Sequence, residues 1–450
     1  MAILPIDSGR YGSPEMRDLF SDRARYQFYL DIEAALARVQ SRLGMIPPEA
    51  GSALTKKANI DLISLERVRE LERETKHEVV SLLKAFAEVA GNCGKYIHLG
   101  ATSSDILDTA MALQVREGLS IIQRKLTQLL QVLMGLAAQH KTTLMVGRTH
   151  GQHALPITFG FKVAVWADEL LRHLQRLQQI QGRVLVGKMA GAVGSMASFR
   201  NHAHQIQAGV MAELGLGAAE ISTQIIPRDR IAEVIMLLAL AAATLETIST
   251  EIRNLQRPEI AEVCELFGEA SQIGSSTMPH KRNPVNAENV CSLARIVRSL
   301  VVPALENIPL WHERDLTNSA SERFIVPEAF ILLDEMLEKS LYILGNLQVY
   351  PEKMLSNLHL SQNRIMAEAI MLSLAQQGVD KFEAYTLLRE LSALSNGVES
   401  FRQVLLDNQI VSTHLEPAQL QTLLEESSYV GECITLVDKI LKNCSNFFNN

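Results

Sequence analysis

The chain has 450 residues, of which 47% are apolar and 21% charged, and it carries a formal net charge of −7. That length and balance fit a folded globular protein with room for more than one packed unit. The acidic excess gives no electrostatic reason to bind nucleic acid or an anionic membrane, so any anionic ligand must be held by a local basic cluster. The five cysteines (Cys93, Cys264, Cys291, Cys433 and Cys444) are odd in number and lack CxxC spacing, which argues against a disulfide framework or a zinc site. Residues 1–10 show no basic stretch followed by an apolar one, and the longest apolar run, Val234 to Ala243, is too short to span a bilayer and reads as a buried helix. A cytoplasmic protein is expected.

Taken in chain order, residues 1–102 read as shorter helices broken by Gly12, Pro14, Pro47 and Pro48. Leu119 to His140 places Ile122, Leu126, Leu129, Leu130, Leu133, Leu136 and Ala137 on one stripe at helical spacing. Phe161 to Gln179 repeats the pattern with Val165, Leu170, Leu174 and Leu177. Ala232 to Gln256 starts apolar almost all round, as a central buried helix does, and Pro258 stops it. Ser292 to Val302 and the longer Pro327 to Leu347 read as further helices, and the stretch from 353 onward as shorter ones. Few segments alternate at period two, so strands are expected to be sparse. The expected architecture is all-α in three parts: 1–102 N-terminal, 103–352 a central bundle of long helices, and 353–450 C-terminal.

The most informative segment is GSSTMPHKRNP, residues 274–284. A Gly-Ser-Ser-Thr start and two prolines cannot continue a helix, so it reads as a loop. It gathers three hydroxyls, an imidazole, two cations and an amide, a set suited to capturing a carboxylate or phosphate. A solvated basic turn is the plain alternative on residue types alone.

This segment resembles the signature loop of the fumarase/aspartase superfamily, whose members eliminate fumarate or a fumarate-like product. Other segments resemble the adenylosuccinate lyases within it. They are Arg10-Tyr11 with Ser13-Pro14-Glu15-Met16, Thr75-Lys76-His77-Glu78, HLGATSSD at His98 to Asp105, and GRTHGQHALP at Gly147 to Pro156. Ser222-Thr223-Gln224, Arg228-Asp229-Arg230 and LWHERDLTNSASER at Leu310 to Arg323 follow the same pattern. The resemblance runs from about residue 10 to about 375 and fades beyond.

The resemblance implies roles residue by residue. Ser275 matches the general base, a role a serine fills only if its alkoxide is stabilised, here by Lys281 and nearby N–H groups. Lys281 and Asn283 match residues that bind the substrate carboxylate and stabilise its aci-form, and Thr102 and Ser103 match further donors to the succinyl carboxylates. His150 matches the acid that protonates the leaving nitrogen, and Glu288 the carboxylate that keeps it protonated. Arg10, Tyr11, Lys76, His77, Glu78, Arg314, Ser319, Ala320, Ser321 and Arg323 fall in the segments facing the nucleotide and its phosphate. Gln224, Ser276, Arg282 and Asn289 complete the substrate side. The resemblance also implies a homotetramer whose sites draw on three subunits, a succinyl-nucleotide substrate, and chemistry that needs no metal or organic cofactor.

Departures from the family pattern are Glu78 where Asp is usual, Pro227 and Ile231 where Gln and His are usual, and a C-terminal region that from about Leu387 lacks the expected aromatic-bearing helix. A cycloisomerase acting on 3-carboxymuconate shares the loop, but such enzymes tend to lack a histidine at the position of His150. Argininosuccinate lyase would leave the nucleotide-side residues without purpose. A non-catalytic structural homologue would be expected to have lost Ser275, His150 or Lys281, and none is lost. His153 reads as structural, His98 as either lining the site or supporting its turn, and Arg295 and Arg298 as surface residues. No catalytic role is assigned to His140, His173, His202 or His204.

Overall fold

The computed structural model describes residues 4–266, 278, 280–395 and 400–449. Helix makes up 71% of it, and among the described residues the sheets are three two-stranded pairs. Local chemistry sets the helix starts. Ser13, Ser21 and Ser64 each accept a hydrogen bond from a first-turn N–H of helices Pro14–Leu19, Asp22–Arg42 and Leu65–Thr75. Pro14 and Pro48 sit in the first turns of their helices, where a missing N–H costs nothing.

The chain forms two compact units, each built from separated stretches. The first takes residues up to Thr127, then His173–Glu246 and Asn289–Glu338. Its core packs Leu30, Leu36, Leu54, Leu82 and Phe86 against Met189, Phe199 and Met211. In the same unit the segment carrying Arg10 and Tyr11 is clipped to helix Thr317–Gly345. The N–H of Gly12 donates to Glu335 Oε2 at 2.9 Å, and that of Ser13 to Asp334 Oδ2 at 2.7 Å. Buried Lys125 pairs with Asp334 at 2.5 Å. Gly12 has φ +81°, and a Cβ there would lie 2.6 Å from Ile331 Cγ2, so only glycine lets the strap lie this close.

The second unit takes Gln128–Arg172, Thr247–Glu288 and the chain from Lys339 on. Its core joins Val146 to Ile370, Leu374, Leu388, Phe401 and Leu405. Strand Leu144–Thr149 pairs antiparallel with Gln152–Thr158, with a bulge at Gly147, and Val263–Cys264 pairs with Gln348–Val349.

The predicted long helices are present and extend further: Ser103–Gln139, Phe159–Val184, Asp229–Leu255 and Thr317–Gly345. Three details differ from expectation. Val165 is exposed while Leu170, Leu174 and Leu177 are buried, because a residue five positions before Leu170 lies on another helix face. The last long helix starts ten residues before Pro327, which sits inside it. Asp315 accepts from the N–H and hydroxyl of Thr317 and so caps the earlier start. Helix Asp229–Leu255 is long and apolar enough to cross a membrane, but 61% of its most apolar window is buried within the chain. It is not apolar-buried all round, since Met236 and Leu240 are exposed on one stripe.

Candidate active site

In the first unit, helix Leu65–Thr75 ends on Lys76 at φ +54°, and His77 caps the next helix by accepting from the Val80 N–H on Nδ1. That acceptor role puts the ring proton on Nε2, which faces Ser103 Oγ at 3.5 Å. Thr102 and Ser103 open helix Ser103–Gln139 on a turn pinned by one carboxylate. Asp105, fully buried, accepts from the N–H groups of Thr102 (2.9 Å), Ala190 (2.9 Å) and Gly191 (3.0 Å) and from the buried Lys188 ammonium. The same turn is held at His98, whose Nδ1 lies 2.6 Å from buried Glu33.

Several predicted nucleotide-side residues do converge. Arg314 Nη1 donates to Ser104 Oγ (2.8 Å) and Gln224 Oε1 (3.0 Å), while Gln224 Nε2 donates to the Ala192 carbonyl. Glu78 bridges two guanidiniums, Arg323 at 2.9 Å and Arg25 at 3.1 Å. Glu78, Arg314, Ser319 and Arg323 line one cavity of about 100 Å³. Buried Arg228 lies against that cavity, held by Asp108 at 2.6 Å and Glu322 at 3.1 Å. Burial raises the Glu322 carboxyl pKa, although Arg228 opposes the shift. Ser321 Oγ accepts from Asn307, and Ala320 and Arg10 are exposed, so none of these three joins the cavity lining.

In the second unit, Lys281, Arg282, Asn283 and Glu288 line a cleft of about 810 Å³ with Val263, Cys264 and Tyr350. His150 (φ +55°) and Gly151 (φ +74°) form the two-residue turn of the 144–158 hairpin. Two consecutive positive φ values are what a tight hairpin with right-handed strand twist demands. The turn is exposed, but the strand behind it is fixed. Arg148 makes a two-pronged ion pair with fully buried Glu262 (2.7 and 2.9 Å), which also accepts from Asn357. Among the described residues no hydrogen bond joins His150 to Glu288, and Glu288 is exposed. Asn289, the next residue and already part of the first unit, has a covered Oδ1 with no hydrogen-bond partner among the described residues. Ser275 and Ser276 lie outside the described residues.

Sequence reading missed Lys188, Arg25, Glu33 and Asp108, and gave no individual role to Asp105, Arg228 and Glu322 although each lies in a segment it had singled out. One signal was available: a lone lysine in the run VLVGKMAGAVG marks a cation that must find a carboxylate when buried. Arg298, expected at the surface, is indeed half-exposed and pairs with Glu246. Burial lowers the pKa of His153.

A family model described as Lyase matches residues 9–298, and one described as Adenylosuccinate lyase C-terminus matches residues 363–440. The adenylosuccinate lyase of Pyrococcus abyssi is 50% identical over 443 residues, covering 98% of both chains. That of Aquifex aeolicus is 40% identical and covers 96% of this chain and 98% of its own. Among solved structures, a fumarate lyase from Mesorhizobium sp. BNC1 superposes with TM-score 0.88 at 34% identity, over 96% of this chain and 98% of its own. The 3-carboxy-cis,cis-muconate lactonizing enzyme of Pseudomonas putida gives 0.90 at 32%, over 99% and 100%. The C-terminal match corrects the expectation that the resemblance fades after about residue 375. Helix Lys381–Leu394 carries Phe382 and Tyr385 and buries Ala384, Leu388 and Leu391, a packing pattern that many sequences satisfy and that is faint by eye. With the Lyase match over 9–298, the C-terminal match and near-full-length relatives, the chain belongs to the adenylosuccinate lyase family.

Proposed function

We propose that the protein eliminates fumarate from adenylosuccinate to give AMP, and from the succinyl-carboxamide ribotide SAICAR to give AICAR, in purine nucleotide synthesis. The observation that carries this reading is 50% identity to an adenylosuccinate lyase over 98% of both chains. The local geometry supports it: one unit gathers cations and amides in the segments assigned to the nucleotide, and the other sets Lys281 and Asn283 in an open cleft.

In this reading Ser275 removes the proton from the carbon beside a succinyl carboxylate. The electron pair moves into that carboxyl group as an aci-carboxylate, which Lys281, Asn283, Thr102 and Ser103 stabilise with charge and hydrogen bonds. Collapse of the pair forms the carbon–carbon double bond of fumarate and breaks the C–N bond. His150, held protonated by Glu288, gives its proton to the departing nitrogen. Arg314, Ser319 and Arg323 hold the nucleotide, with Arg10 and Tyr11 on their strap and Lys76 and His77 beside Ser103. The three-part division at 102 and 352 then separates an N-terminal nucleotide side, a bundle carrying the chemistry and a C-terminal scaffold.

The working form is a cytoplasmic homotetramer. Its support is the exposed stripe of Met236 and Leu240 on a largely apolar helix, and a His150 with no hydrogen bond to Glu288 among the described residues. The test is a spectrophotometric assay of purified protein with adenylosuccinate, following AMP and fumarate. Robust turnover upholds the reading; an intact tetramer with no turnover on either succinyl nucleotide overturns it.

A further inference from the structure

The cleft residues Lys281 to Asn283 sit at the end of the signature loop, and two side chains tie that end to the chain that precedes the loop. Glu265, almost fully buried, reaches into the first turn of helix Val285–Ser299. There Oε1 accepts from the Ala287 N–H at 2.8 Å, and Oε2 from the N–H and side-chain amide of Asn286 at 3.4 and 3.3 Å. Gln256 makes the complementary bridge: Oε1 accepts from the Glu265 N–H at 3.0 Å, and Nε2 donates to the Arg282 carbonyl at 3.2 Å.

Among the described residues the donors to Glu265 are uncharged, and burying a carboxylate this way is costly unless hydrogen bonds compensate it. The helix N-terminus lowers that cost by presenting its unpaired N–H groups. Burial still pushes the Glu265 pKa up, with the helix N–H groups opposing it. Gln256 lines the same cleft as Lys281 and Asn283. Glu265 and Asn286 lie 21 positions apart in the sequence, and these hydrogen bonds bring them together.

We infer that Glu265 and Gln256 are positioning residues of the reaction, a double clasp that joins the chain before the signature loop to the loop's end and fixes where Lys281 and Asn283 stand in the cleft. The inference rests on the proposed role of those two residues at the substrate carboxylate. Glu265 and Gln256 act through them and touch no reacting atom.

Glu265→Gln keeps the side-chain shape but loses the charge and one acceptor. Gln256→Ala removes the second bridge at a half-buried position and decides the matter if the first variant does not fold. With adenylosuccinate as substrate, kcat is expected to fall about tenfold to a hundredfold in Glu265→Gln and about three- to tenfold in Gln256→Ala, since misplacing a reacting group by an ångström is enough for such losses. KM should stay within about threefold, because the nucleotide grip is built elsewhere. Amide hydrogen exchange at Asn286 and Ala287 should accelerate in Glu265→Gln. Wild-type kcat in both variants overturns the inference, as does a kcat loss matched by an equal loss of folded protein. An inactive wild type would instead overturn the proposed function, and the exchange comparison would then uphold or overturn the clasp by itself.

Discussion

The two regions that carry the assigned residues, one in each unit, are built in opposite ways. On the nucleotide side, cations are locked within the first unit: Glu78 between Arg323 and Arg25, Asp108 and Glu322 around Arg228, Asp105 on Lys188. On the chemistry side, His150 stands on an exposed turn, and Lys281 and Glu288 are exposed at a cleft. Binding a large anionic substrate favours a surface organised beforehand, because ordering it afterwards would cost affinity. Groups that move protons need a partner and a dry environment only when substrate is present, and neighbouring subunits are the proposed source of both.

If that contrast holds, substitutions should separate cleanly. The largest effect is expected for His150→Gln, with kcat down roughly a hundredfold to ten-thousandfold and an unchanged melting temperature; a wild-type pH–rate profile in this variant would break the comparison. Lys188→Met is expected to do the reverse and destabilise the fold by roughly 3–5 kcal/mol, because it strands a buried carboxylate. Chemical denaturation measures it, and adding Asp105→Leu should not restore stability, since Asp105 also holds three backbone N–H groups. Arg323→Ala sharpens the nucleotide side. Its pair with Glu78 is half-exposed, so KM should rise only about three- to thirtyfold with kcat kept; an unaffected KM removes Arg323 from the site.

The smallest effect is a titration. Burial disfavours the charged form of His98, but Glu33, with help from Asp105, outweighs it and raises the pKa above the ordinary value. The stability this pair contributes is complete below the unfolded-state pKa of about 6.5 and is lost as pH rises through the raised folded value. Glu33→Gln should move the His98 titration, followed by NMR, to lower pH. An unmoved titration would show that Glu33 does not control this turn.

The long helices were legible because heptad-like stripes such as Leu126, Leu129, Leu130 and Leu133 leave one reading of their period. The 144–158 hairpin was not, since GRTHGQHALP lacks clean alternation and its turn residues, His-Gly, are outside the usual Asn-Gly pattern. Among site residues, the loop and the Leu310–Arg323 segment announced themselves through resemblance. The buried pairs did not, because Lys188 and Asp105 lie 83 positions apart and only folding makes them neighbours. Glu78 shows a subtler limit: its identity was visible, but its place between two arginines was not.

The strap at Gly12 and Ser13 has a consequence for how the chain is made. Its anchors Asp334, which also pairs with Lys125, and Glu335 are among the last residues of the first unit to leave the ribosome. At a synthesis rate of roughly 5–20 residues per second, the nascent N-terminus waits on the order of seventeen to seventy seconds for them. During that time the Lys125 ammonium has no Asp334, and the helix that will seat Arg10 and Tyr11 does not yet exist. The strap is therefore made early and finished late, which makes a chain stalled before Asp334 a natural client for chaperones.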